Sequence, residues 1–122
     1  GRVAARLDDV LNWIPARLTA LTYSLLGDVR GGFRCWRAQA PAWDSPNAGP
    51  VMAAGAGALR VVLGGPAPYA SGIKQRPMLG EGEPASAEPI HAAIQLVHRG
   101  VWLWLGLLAA VAIIGWIASA AP

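Results

Sequence analysis

The sequence predicts an all-α integral membrane protein whose helices are joined by Gly/Pro-rich cytoplasmic loops, and three observations predict it. Residues 101–120, VWLWLGLLAAVAIIGWIASA, carry no charge. Charged residues make up 14% of the chain, against roughly 25% in soluble domains. An apolar stripe runs at alternating four- and three-residue spacing through Leu7, Leu11, Ile14, Leu18, Leu21 and Leu25, which puts all six on one helical face.

The first element, residues 5–26, reads as one helix that Pro15 kinks and Gly27 stops. Asp8, Asp9, Asn12 and Arg17 crowd its first half, so the fully apolar part is short for a bilayer. A spanning helix and a surface-lying amphipathic helix both fit. Residues 28–44 form a polar, arginine-bearing connection with a short helix around Phe33–Ala40. Residues 51–63, VMAAGAGALRVVL, read as a small-residue helix, with strand an option at the end. Residues 64–89 are dense in Gly and Pro and read as loop. Ile90, Ile94, Val97 and Val101 share a helical face that feeds the last helix, with Gly100 as a bend.

At a rise of ~1.5 Å per residue, residues 101–120 cover the ~30 Å core of a bilayer. Trp102, Trp104 and Trp116 sit near the two ends, as interfacial tryptophans do. His98 and Arg99 precede this helix and no cation follows it, so the positive-inside rule places residues 28–99 in the cytoplasm. Gly106 with Ala110, and Gly115 with Ser119, are small pairs four apart that let another helix approach. The expected organisation is a helix over 1–27, cytoplasmic loops and short helices over 28–100, and a transmembrane helix over 101–120. The chain opens at Gly1 with residues that read as mid-helix and without a signal-peptide pattern, which is expected of a piece of a longer protein.

Several function classes are disfavoured. The net charge of +3 rests on scattered arginines and the single Lys74, with no basic stripe interleaved with aromatics, so nucleic acid is not an expected partner. Cys35 is the only cysteine, which excludes an internal disulfide and a multi-cysteine metal site. His91 and His98 lie seven residues apart, ~10 Å along a helix, too far to share one metal.

Three stretches offer chemistry. In RLDDVLNWIPAR, residues 6–17, helical spacing converges Asp8, Asp9 and Asn12 over one turn. Two carboxylates and an amide suit Mg²⁺, with Arg17 two turns on to meet a phosphate. From spacing alone the same residues read first as an N-terminal cap with a snorkelling arginine. SPNAG, residues 45–49, is a turn in which Ser45 or Asn47 caps the following helix. GGPAPYASGIKQRP, residues 64–77, lacks the Walker A spacing. Its Gly64 and Gly65 with Lys74 and Arg76 either cradle phosphate or form a solvated surface loop.

The order of these motifs carries more than any one of them. RLDDVLNWIPARLTAL, SPNAG before an alanine–glycine helix ending AGAL, LGGP with Tyr69, K-x-RP-x-LG and a final apolar helix together resemble the adenosylcobinamide-phosphate synthase (CobD/CbiB) family. The resemblance implies a polytopic, multi-pass protein of the cell (inner) membrane, of which this is the C-terminal portion. It implies an ATP- and Mg²⁺-dependent synthase that joins a corrinoid substrate, adenosylcobyric acid, to aminopropanol, its phosphate or a related amino alcohol through an amide bond. A carboxylate is a poor acyl donor, and phosphorylation would create the leaving group. Carried onto matching positions, Asp8, Asp9 and Asn12 are the Mg²⁺ candidates. Arg17, Ser45, Asn47, Gly64, Gly65, Tyr69, Lys74 and Arg76 are the substrate or phosphate candidates. Other membrane enzymes of the cobalamin pathway are conceivable partners besides the lipid bilayer. The competing reading is a non-catalytic membrane scaffold that anchors partners of the corrin pathway.

Overall fold

The computed structural model describes residues 1–121, apart from the side chains of Ala67, Tyr69 and Lys74. The chain begins with two helices that meet at Asn12, α1 (Arg2–Leu11) and α2 (Trp13–Leu26). The break expected at Pro15 therefore falls three residues earlier. Pro15 occupies the first turn of α2, where a missing N–H costs nothing, and Asn12 takes up the turn with φ −84° and ψ −3°.

After Gly27 the chain enters α3 (Val29–Gln39), which starts a turn earlier than expected because Asp28 caps it. The Gly31 N–H donates to Asp28 Oδ1 at 3.1 Å. A short 3-10 turn, Ala40–Ala42, leads to SPNAG and then to α4 (Ala48–Leu59). Ser45 supplies the expected cap, its Oγ accepting from the Ala48 N–H at 3.1 Å. Arg60 ends α4 in left-handed backbone, φ 56° and ψ 43°.

The core is built where α2, α3 and α4 touch through their smallest residues. Ala16, Ala20 and Ser24 of α2, Gly31, Gly32 and Cys35 of α3, and the run 53–58 of α4 are buried. α3 and α4 cross back to back, since a Cβ at Gly31 or at Gly57 would strike the other's carbonyl oxygen. The leucine stripe is not buried in this packing. Leu7, Leu11, Ile14, Leu18, Leu21 and Leu25 remain 38–67% exposed on the outer face. Small residues permit backbone-to-backbone contact, and the bulky ones are left for surroundings outside the three-helix unit.

Residues 61–84 correct the all-helical expectation. Five short strands run through them: β1 (Val61–Leu63), β2 (Ala67–Tyr69), β3 (Gly72–Lys74), β4 (Leu79–Gly80) and β5 (Glu83–Pro84). β1 pairs antiparallel with β4, Leu63 opposite Leu79, and parallel with β5, Val61 opposite Glu83. β2 and β3 form a separate hairpin. The fold is thus mostly helical with two small sheets. Strands of two or three residues leave no alternating pattern to read, and Gly64 and Gly80 turn the chain at φ 92° and 83°. Leu79 is fully buried against Cys35, Ala40 and Ala53. Gln39 clamps β4 from α3, accepting from the Gly80 N–H at 2.6 Å and donating to its carbonyl at 3.0 Å.

The last helix, α5 (Ala87–Ala120), runs 34 residues without interruption. Gly100 does not bend it; it is buried where α5 crosses α2, leaving only 3.2 Å between a Cβ there and Thr22 Cγ2. Trp104 Nε1 donates to Thr22 Oγ1 at 3.0 Å across the same crossing. Every residue from 101 to 120 is exposed. Among the described residues α5 is the one helix long and apolar enough to cross a membrane; its most apolar stretch has a mean hydropathy of 2.3, and none of that stretch is buried.

Candidate functional site

Breaking α1 from α2 strips intrahelical partners from carbonyls near the end of α1. The side chain of Asn47 meets one of them: its Nδ2 donates to the Asp9 carbonyl at 2.8 Å. Its Oδ1 accepts from Arg17 Nη1 at 2.7 Å. Both ends of this 9%-exposed amide are therefore used. Arg17 also donates from Nη2 to the Pro46 carbonyl at 3.0 Å, and its guanidinium lies 4.5 Å from the Trp13 ring centre. Two motifs 30 residues apart in sequence are thereby one structural unit.

The polar residues of the first motif have local partners. Asn12 Nδ2 donates to Asp8 Oδ1 at 2.9 Å, as their one-turn spacing predicts. Asp9 faces a small apolar hollow with Trp13, Ile14 and Pro46. Among the described residues no three His, Cys, Asp or Glu side chains gather as a metal site. Asp8, Asp9 and Asn12 carry oxygen atoms of the hard kind that Mg²⁺ takes, but Asp8 Oδ1 already accepts from Asn12 and Asp9 lines its own hollow.

Gly64 and Gly65 hold the base of their loop shut. The Gly65 N–H donates to the Arg76 carbonyl at 3.1 Å, and a Cβ on Gly64 would strike the Pro77 carbonyl. The Gly65 N–H is thus committed within the chain, and what the pair positions is Arg76. The side chains of Tyr69 and Lys74 lie outside the described residues.

Beside Arg17 opens a cleft of about 470 Å³ lined by Trp36, Arg37, Trp43, Asp44 and Pro46. A second, of about 500 Å³, is lined by Trp43, Asp44, Gln75, Arg76 and Pro77. The two share Trp43 and Asp44, so Arg76 reaches the edge of the region that Arg17 and Arg37 line. Sequence reasoning missed Trp36, Arg37, Trp43 and Asp44. The available signal was two tryptophans and two charges packed into residues 36–44, directly before SPNAG.

Also on α3, Arg34 makes a two-point ion pair with Glu81. The Arg34 hydrogen bond holds the Glu81 carboxyl below the usual glutamate range, and the same bond raises the Arg34 guanidinium. Burial, followed by the nearby Glu81 charge, pushes the Cys35 thiol up. It is 1% exposed and is a packing residue with poor nucleophilicity.

Residues 1–97 match the CobD/CbiB protein family. The cobalamin biosynthesis protein CobD of Chromobacterium violaceum is 62% identical over 114 residues, covering 93% of this chain and 36% of the relative. That of Stutzerimonas stutzeri is 60% identical over 108 residues, 88% of this chain and 36% of the relative. That of Mycobacterium tuberculosis is 44% identical over 101 residues, 79% of this chain and 32% of the relative. The chain spans about 36% of the length of the first two relatives. No solved structure matches it. The matched stretch contains the Arg17–Asn47 unit and both clefts. On that extent and identity, the chain belongs to the CobD/CbiB family of cobalamin biosynthesis.

Proposed function

We propose that this chain supplies the polar substrate-facing region of a membrane-bound adenosylcobinamide-phosphate synthase. The reaction joins adenosylcobyric acid to aminopropanol phosphate, or a related amino alcohol, by an amide bond. The observation that carries this reading is the union of RLDDVLNWIPAR and SPNAG through Arg17 and Asn47 at the rim of an arginine-lined cleft. These are the two most specific stretches of the family resemblance.

The residues divide the work by their chemistry. Arg17, Arg37 and Arg76 bring positive charge to a cleft that would receive phosphate and carboxylate groups. Asn47 and Pro46 hold the Arg17 guanidinium in place, so it need not reorganise as negative charge develops. The Trp36 and Trp43 indoles add apolar wall to the cleft. Asp8, Asp9 and Asn12 would hold Mg²⁺, which together with ATP supplies the phosphate chemistry that activates a carboxylate. The exposed apolar stretch of α5 anchors the unit in the bilayer, with the clefts on the cytoplasmic side.

Complementation of a strain lacking the synthase tests the reading, using the full-length protein and its Asp8→Ala, Asp9→Ala and Asn47→Ala variants. Wild-type rescue with loss in the variants, at equal membrane abundance, supports it. Unimpaired rescue by all three removes the site assignment, and absence of wild-type rescue favours the scaffold.

A further inference from the structure

Asp44 stands where the two clefts meet, with Arg17 and Arg37 lining one side and Arg76 the other. Carboxylates elsewhere near arginines are engaged: Glu81 by Arg34, and Asp28 by Arg60 at 4.0 Å. Among the described residues no hydrogen bond or ion pair engages the side chains of Asp44 or Arg37. Arg17, by contrast, is held by Asn47 and Pro46.

This charge arrangement is selective in both directions. A simple anion drawn to the arginines meets the Asp44 carboxylate, and a simple amine drawn to Asp44 meets the arginines. A compact zwitterion satisfies both, with its ammonium on Asp44 and its phosphate on Arg37. Trp36 and Trp43 line the same space, and aromatic rings there favour a cation further. We infer that Asp44 selects the amine-bearing partner of the reaction and Arg37 receives its phosphate, both by direct contact. The assignment deepens the proposed synthase reading and rests on it for the identity of the zwitterion.

The test uses the full-length protein in detergent, titrated calorimetrically with ethanolamine phosphate and with ethyl phosphate, which lacks the ammonium. Wild type binds ethanolamine phosphate on the order of tenfold more tightly. Asp44→Asn binds the two equally and holds ethyl phosphate at least as well as wild type. Asp44→Glu keeps the preference, and Arg37→Gln weakens both ligands. A wild type without preference, or an Asp44→Asn variant that retains it, overturns the inference. Amide formation, followed in the same preparations, separates the two proposals. An active enzyme whose preference ignores Asp44 sinks this assignment alone, whereas Asp44-dependent preference in a protein that never forms the amide sinks the synthase reading alone.

Discussion

Gly55 and Gly57 sit two residues apart in α4, and replacing each with alanine isolates the packing of α4 on α3. In a helix interior the substitution gains about 1 kcal/mol of propensity at either site. At Gly55 the new Cβ lies 3.3 Å from Tyr23 Cδ2, on a ring edge that can tilt away by a few tenths of an ångström. At Gly57 it lands on the Gly31 carbonyl oxygen, 2.7 Å from the carbonyl carbon and 2.9 Å from Cys35 Cβ. Backbone cannot swing aside, so the two helices must part by about 1 Å to restore ordinary contact. Overpacking of this kind costs about 1–3 kcal/mol, and parting also strips dispersion contacts along the whole crossing. Gly55→Ala is therefore neutral or stabilising by up to about 1 kcal/mol, while Gly57→Ala destabilises by about 2 kcal/mol. Thermal unfolding of the full-length protein in detergent reads the difference as a gap of several degrees, with Gly57→Ala below wild type. Superimposable melting of the two variants would refute the back-to-back crossing.

Replacing Arg60 with glycine relieves left-handed backbone at the end of α4. Stability rises by about 1 kcal/mol in the same melting assay, the left-handed cost less the added freedom of the unfolded chain. Cys35 should react with maleimide at least about a hundredfold more slowly in native than in denatured protein, because labelling awaits local opening; prompt native labelling refutes the buried thiol. The Glu81 carboxyl is lowered in the folded state, so the Arg34 pair contributes above the ordinary glutamate value of 4.5 and its contribution is lost as pH falls through the lowered one. Arg34→Met should flatten the fall in melting temperature over that acidic window, and a slope identical to wild type contradicts the pairing.

Large-scale features were legible where many residues repeat one pattern. The charge-free run at 101–120 needed only counting, and Ser45 announced its cap by residue type. The leucine stripe of residues 7–25 marked a helix correctly but not which way it faced. Bulk usually points inward in a soluble domain, whereas here alanine, glycine and serine make the helix–helix contact and leucine faces out. The break at Asn12 was hidden because its compensation is tertiary: Asn47, 35 positions on in sequence, satisfies the Asp9 carbonyl. The five strands are too short for periodicity. Of the candidate site, Arg17 and Asn47 sat in recognisable motifs. Trp36, Arg37, Trp43 and Asp44 were not legible, because what makes them a site is the cleft that α3 and SPNAG enclose together.

In the proposed synthase Arg17 and Asn47 act as one unit, and a double-mutant cycle on amide formation by the full-length protein measures that directly. Arg17→Met and Asn47→Ala should each lower kcat/KM by about tenfold or more, and the double variant should be scarcely worse than Arg17→Met, because one change removes the guanidinium that the other only releases. Losses that multiply, or singles that work as well as wild type, would contradict it.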